Sequence, residues 1–325
     1  MRRAVRALLW GCLTVVGLAV AGLAYLFIAF PRVGAASHEE VHVTADKLAR
    51  GSYLAEHVAL CVDCHSERDF SRFSGPVVPG TFGKGGQRFG HDLGLPGEFF
   101  ATNITPHGVG SWSDGELISA FTSGVTPDGR ALFPIMNYPG FAKLCKSDVE
   151  ALVAYLRNLA PIEHTVPQRT LDFPLNLIVR TLPKPAQLSA TCPNPQDSVK
   201  QGAYLVAVAG CADCHSPRQG SDFDPALAFS GGVQMPLPSG GSVRSKNLTP
   251  DVATGIGSWS RAAFIARFAS YRDPATLHAV DRGGFNTLMP WSMYAGMSDS
   301  DLGAIYDFLR TQRPVKSSGS PVAGM

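Results

Sequence analysis

The chain is written twice, and that duplication limits its possible folds more than any other feature. GSYLAEHVALCVDCHSER, from Gly51, matches GAYLVAVAGCADCHSPR, from Gly202, with one residue fewer in the second copy. NITPHGVGSWS, from Asn103, matches NLTPDVATGIGSWS, from Asn247. FPIMNYPGF followed by SDVEALVAYLRNL matches TLMPWSMYA followed by SDLGAIYDFLRTQ. Three blocks in one order, at an offset of about 150 residues throughout, mean tandem duplication of one unit. A period that long gives two domains rather than a solenoid.

Each copy reads as mostly helical with long loops. A helix leads into each CxxCH, with Tyr53, Leu54 and Val58 on its core face in copy one and Tyr204, Leu205 and Val208 in copy two. Ser113, three before Glu116, predicts a capping box, as does Ser147-Asp148-Val149-Glu150 at the last helix of copy one. Copy two ends likewise, with Ser298 three before Asp301. The expected fold class is all-α: two tandem domains behind an N-terminal transmembrane helix. The boundaries follow as an anchor over 1–36, domains over 42–165 and 196–315, a linker over 166–195 and a disordered tail over 316–325. The linker holds six prolines and little periodicity.

From Ala7 to Phe30 there are 24 residues without a charge, preceded by Arg2, Arg3 and Arg6. A run of that length spans a bilayer as a helix, and the flanking arginines keep its start in the cytoplasm. The expected location is therefore the inner membrane, with both copies in the periplasm. The competing reading is a cleaved secretory signal, with Gly34-Ala35-Ala36 as the small-residue site. Either way the body is exported. Without the three leading arginines, 25 Lys/Arg face 26 Asp/Glu, so no basic surface points to nucleic acid.

Two cysteines three apart can be half a zinc site, a redox dithiol or a haem attachment point. A structural zinc site needs four ligands. Copy one has only Cys145 besides Cys61 and Cys64, and copy two has no cysteine after Cys214. A thioredoxin-like dithiol needs no histidine and expects a βαβ context that is missing. C-x-x-C-H is the attachment pattern of c-type haem: two thioethers hold the porphyrin edge, and the next residue sets its imidazole on the iron. Two copies in an exported helical repeat predict two covalently bound haem c groups, one on Cys61, Cys64 and His65 and one on Cys211, Cys214 and His215.

Each iron then needs a sixth ligand. Met136 lies 71 residues past His65, and Met289 lies 74 past His215, both in loops before the last helix. His/Met ligation saturates the iron and raises its potential, which suits electron transfer. Met293 and Met297 compete with Met289 by position. Trp112 and Trp259, and Arg68 and Arg218, are candidates to touch the haem propionates; Asn103 and Asn247, which open their NxTP turns, are further candidates for the surroundings of the haems. The remaining histidines, His57 and His91 among them, show no metal spacing, and most are expected on the surface. An oxidising compartment permits a disulfide between Cys145 and Cys192.

With these residues in place the chain resembles the cytochrome c subunits of bacterial membrane-bound dehydrogenases that oxidise alcohols, gluconate, fructose or aldehydes. The resemblance rests on Gly51-Ser52-Tyr53-Leu54-Ala55 with Cys61–Arg68, on Asn103–Ser113, and on Asp128-Gly129-Arg130 with Met136-Asn137-Tyr138. It covers roughly residues 48–160 and 199–312, and it implies tandem cytochrome c folds with His65 and His215 proximal and Met136 and Met289 distal. Those subunits carry three haem domains and a C-terminal anchor, whereas this chain has two copies and an N-terminal apolar run. Asn137 stands where the family prefers proline.

The expected function is a carrier that is not itself an enzyme. It takes electrons one at a time from a periplasmic dehydrogenase and delivers them to a soluble cytochrome or terminal oxidase. The alternatives are di-haem enzymes with one reactive iron. A peroxidase needs an open or displaceable iron site, and a thiosulfate dehydrogenase needs a cysteine ligand, for which Cys145 is the candidate.

Overall fold

The computed structural model describes residues 2–219, 222–238, 240–281 and 283–317. Helix α1 runs from Arg2 to Ala29 and is long and apolar enough to cross a membrane, with none of its side chains buried by the rest of the chain. The expected disordered tail lies outside the described residues, apart from Lys316 and Ser317.

Copy one contains α2 (Ala45–Tyr53), α3 (Cys61–Cys64), α4 (Pro106–Val109), α5 (Asp114–Ser123), α6 (Tyr138–Phe141) and α7 (Lys146–Asn158). After α8 (Leu175–Ile178) in the linker, copy two contains α9 (Ser198–Val208), α10 (Cys211–His215), α11 (Arg261–Ala269), α12 (Trp291–Tyr294) and α13 (Asp299–Arg310). In each copy the first helix crosses the last, α2 on α7 and α9 on α13. The crossing is close because its centre is glycine. A Cβ on Gly51 would lie 2.1 Å from the Ala151 carbonyl oxygen, and one on Gly202 would lie 1.9 Å from that of Ala304. Leu54, Val58, Leu205 and Val208 are fully buried beside these crossings. Each contributes about 1.5–3 kcal/mol by leaving water, and side chains of both copies join in one core.

The extra residue in copy one has a structural form. After α2 the chain makes a π-helical turn over Leu54–Val58, closed by Ala59 N–H to the Leu54 carbonyl at 2.7 Å. A π turn is how a helix absorbs one inserted residue without losing its register. Both routes then reach a left-handed residue just before the first cysteine: Leu60 at φ 51° and Gly210 at φ 64°.

The all-α expectation is too narrow. Among the described residues, three small antiparallel sheets occupy the glycine- and proline-rich connections. One joins β1 (Arg88–Phe89), β2 (Gly97–Phe100) and β3 (Thr170–Leu171); the others pair β4 (Arg218–Gln219) with β5 (Asp222–Phe223) and β6 (Gln234–Pro236) with β7 (Ser242–Arg244). Strands of two to four residues are too short for a period-two pattern to register in sequence.

The Ser113–Glu116 capping box forms in both directions, at 2.7 and 3.2 Å. Ser298 likewise caps α13 through the Asp301 N–H. The box expected at Ser147 does not form. Helix α7 starts at Lys146, with Cys145 at the cap position two residues before Ser147 and no side chain bonded there, because Cys145 is bonded to Cys192 and its neighbour Lys146 donates to the Ser189 carbonyl. Glu150 pairs with Lys47 instead, at 2.6 Å.

Candidate functional site

The two CxxCH segments are built alike from the backbone up. His65 Nδ1 faces the Thr102 carbonyl at 2.6 Å, and His215 Nδ1 faces the Lys246 carbonyl at 2.7 Å. A ring nitrogen donating to a carbonyl fixes the tautomer and leaves Nε2 as a lone-pair donor. Burial lowers the pKa of both imidazoles, with the carbonyl contact opposing it, so each ring is neutral at neutral pH. The histidine carbonyls are held in turn, by Gly85 N–H and Gly231 N–H at 2.8 Å each. Both glycines have positive φ and back onto Asn103 and Asn247, at 2.5 and 2.7 Å from where a Cβ would sit.

These features fit a covalent haem. The imidazoles are neutral and aimed, as an iron ligand requires. Burial pushes the Cys61 and Cys211 thiols up to about 12, so both are protonated at neutral pH. Cys61, Cys64, Cys211 and Cys214 are all unpaired. Met136 and Met289 are half-buried and packed against the core, each in the loop before its short helix. Met293 and Met297 are core residues, 6% and 1% exposed, which separates them from Met289.

The residues expected around the haems divide. Arg68 is buried, with its guanidinium bonded to the carbonyls of Gly75 and Ser74, paired with Asp63 at 2.7 Å and set over Phe70. Arg218 is more exposed, pairs with Asp213 at 3.1 Å and stacks on Phe223. Asn103 spends both amide protons on the carbonyls of Ile162 and His164, and its oxygen takes two bonds from Thr105. Asn247 repeats this with Thr254, Val315 and Thr249. Both side chains are fully used in tying down the end of their own copy. Trp112 and Trp259 are half-buried against the core.

The aspartates of CVDCH and CADCH were not singled out in the sequence. The signal was present: each copy carries Asp at the second variable position, five before its arginine. Burial raises the Asp63 pKa while Arg68 opposes it.

The two sites are joined. Cys64 is raised by burial first, then by Asp63, with Cys214 also within electrostatic range. The buried Tyr294, which donates to the Ala209 carbonyl at 2.7 Å, senses Cys211, Cys214 and Asp63 together. Tyr294 therefore lies within electrostatic range of both CxxCH segments. Each methionine loop also rests on the opposite copy. Asn137, where the family prefers proline, donates to the carbonyls of Ala207 and Val208. In return, His57 Nδ1 meets the Met293 carbonyl at 2.9 Å, so His57 is an inter-copy contact rather than a surface residue. Ser74 donates to the Met289 carbonyl at 2.6 Å and accepts from Trp291 N–H, while the fully buried Asn286 bonds the carbonyls of Phe70 and Arg72.

Cys145 and Cys192 form a disulfide with Cα atoms 5.0 Å apart. It pins the linker to copy one beside Tyr204.

No protein-family model matches the chain. Over 284 residues it is 29% identical to the cytochrome c subunit of alcohol dehydrogenase (quinone) from Gluconacetobacter polyoxogenes, covering 83% of this chain and 56% of that one. Over 291 residues it is 30% identical to the fructose dehydrogenase cytochrome subunit of Gluconobacter japonicus, covering 85% and 54%. Over 223 residues it is 30% identical to a diheme cytochrome c-type protein of Cereibacter sphaeroides, covering 65% and 68%. The chain spans a little over half the length of the dehydrogenase subunits it matches.

Proposed function

The chain belongs to the family of c-type cytochromes that these relatives represent, and from that premise we propose that it is a membrane-anchored periplasmic carrier with two covalent haems. In this reading Cys61 and Cys64 hold one haem c, and Cys211 and Cys214 hold the other. His65 and His215 are the proximal ligands, and Met136 and Met289 the distal ones. Bound haem supplies a one-electron iron couple; the chain sets its potential, its burial and its docking surface.

The observation that carries the reading is the repeated imidazole–carbonyl bond, 2.6 Å at His65 and 2.7 Å at His215. Both histidines are held ready as neutral, single-tautomer ligands, so both copies are equipped in the same way. The single core shared by both copies supports passage of an electron from one haem to the other within the chain. Residues 42–165 and 196–315 act as the two haem domains, and α1 holds them at the periplasmic face of the inner membrane. A periplasmic dehydrogenase is the donor, and a cytochrome or terminal oxidase the acceptor.

The enzyme readings are weaker. A cysteine-ligated iron would draw on Cys145, which is bonded to Cys192. A peroxidase needs one iron without a firm sixth ligand, and each copy offers a methionine at the matched place.

Electron paramagnetic resonance on the oxidised protein, with haem content measured on the same sample, tests the proposal. Two low-spin His/Met signals at two haems per chain are expected. A high-spin or thiolate-ligated signal from either haem overturns the carrier reading.

A further inference from the structure

The linker carries an apolar face that electron transfer does not use. Strand β3 joins the linker to the sheet of copy one, and Asp172 beside it meets His91 at 2.8 Å. Beyond that point the chain makes α8 and one 3₁₀ turn, Val179–Thr181. This turn is two-sided. Leu175 and Val179, four residues apart, are buried with Phe99 in a small separate core. Phe173 and Ile178 face outward, 79% and 46% exposed.

The same turn grips the end of α1. Arg180 donates from Nε and Nη2 to the Phe30 carbonyl, at 3.1 and 2.7 Å, and from Nη2 to the Phe27 carbonyl at 3.3 Å. Its guanidinium also lies over the Phe27 ring at 5.2 Å. These carbonyls belong to the C-terminal end of α1, where a helix leaves acceptors unpaired and its dipole favours a cation.

We propose that residues 173–182 rest in the outer interface of the membrane that α1 spans, with Phe173 and Ile178 facing lipid. The proposal rests on the anchor reading of α1. Its uncharged run, Ala7–Phe30, holds 24 residues. At ~1.5 Å per residue such a helix covers roughly 36 Å, more than the ~30 Å hydrocarbon core. The end at Phe27–Phe30 therefore emerges among the headgroups, and Arg180, bonded to it, lies at the same level. An arginine flanked by aromatic and aliphatic side chains suits that layer, its charge toward phosphate and its neighbours toward acyl chains. Copy one is then seated on the bilayer at two points, which sets its height and tilt, instead of hanging from a single helix.

The test uses the full chain with both haems attached, in bilayers of phosphatidylethanolamine and phosphatidylglycerol. With four cysteines in thioethers and two in the disulfide, Cys12 in α1 is the remaining thiol and takes a nitroxide label. Two further proteins carry Cys12→Ser with either Ile178→Cys or Val252→Cys, the latter an exposed site in copy two. Power saturation compares relaxation by oxygen, which partitions into lipid, with relaxation by a water-soluble nickel chelate. Oxygen is expected to dominate at positions 12 and 178, and nickel at 252. If position 12 reads lipid while 178 matches 252, the second contact is wrong and the anchor stands. If position 12 reads water, the anchor reading falls and this proposal falls with it.

Discussion

Tyr53 of the first copy donates its hydroxyl to Asp301 of the second at 2.6 Å, and their counterparts return the bond, Tyr204 to Asp148 at 2.6 Å. Equivalent residues of the duplicated halves thus trade partners across the interface. Burial pushes the Tyr53 phenol up to about 12 and raises Tyr204 further, so both remain donors through the physiological range. Asp148 is buried and also held by Arg50 through two bonds of 2.8 Å. Tyr204→Phe is expected to cost about 1.5–3 kcal/mol, the range for a hydrogen bond to a charged group. Urea denaturation measures it; a midpoint equal to the parent's removes the bond from the stability account.

Ser74 couples the first copy to the methionine loop of the second. Ser74→Ala removes the bond to the Met289 carbonyl and one of two acceptors of the Trp291 N–H, which keeps the Met289 carbonyl at 2.9 Å. Losing an intramolecular hydrogen bond of this kind costs about 0.5–1.5 kcal/mol. If Met289 ligates the second iron, carbon monoxide binding should rise at that haem and stay unchanged at the first. Equal change at both haems would argue against a specific hold on Met289.

Met136→Ala should leave the first haem attached, lower its potential and open it to carbon monoxide. Spectropotentiometry reads this directly. An unchanged potential removes Met136 as a ligand.

Glycine at the helix crossings is a steric requirement. Gly202→Ala places a methyl 1.9 Å from the Ala304 carbonyl oxygen, so α9 and α13 must separate. The gain in helix propensity, about 1 kcal/mol, is smaller than the overpacking cost of ~3 kcal/mol. The variant should melt lower and retain less haem. A melting point at or above the parent's would mean the crossing has slack.

His91 is exposed, and its pKa is raised by Asp172 first and Glu98 second. A raised folded value means its stabilising contribution is full below the ordinary histidine pKa, about 6.5, and is lost as pH rises through the folded value. A nuclear magnetic resonance titration should find His91 above a free histidine, and Asp172→Asn should bring it down. No change in that variant would show that the pair is not formed in solution.

Local chemistry was legible in the sequence. The duplication, the two CxxCH motifs, the apolar run of α1 and the Ser113–Glu116 cap are patterns over a few residues, decided by covalent spacing and helix geometry. The capping pattern at Ser147 read equally well and was overridden, because the cap position belongs to a residue bonded to Cys192. Contacts between distant parts of the chain were decided only by the tertiary structure. Tyr53 and Asp301 are 248 residues apart, and Ser74 and Met289 are 215 apart. A hydroxyl's partner at such a separation depends on how two helical layers stack, which no local period encodes. The role of Asn103 and Asn247 was hidden for the same reason: each bonds the end of its own copy, and only the packed chain brings that end within reach.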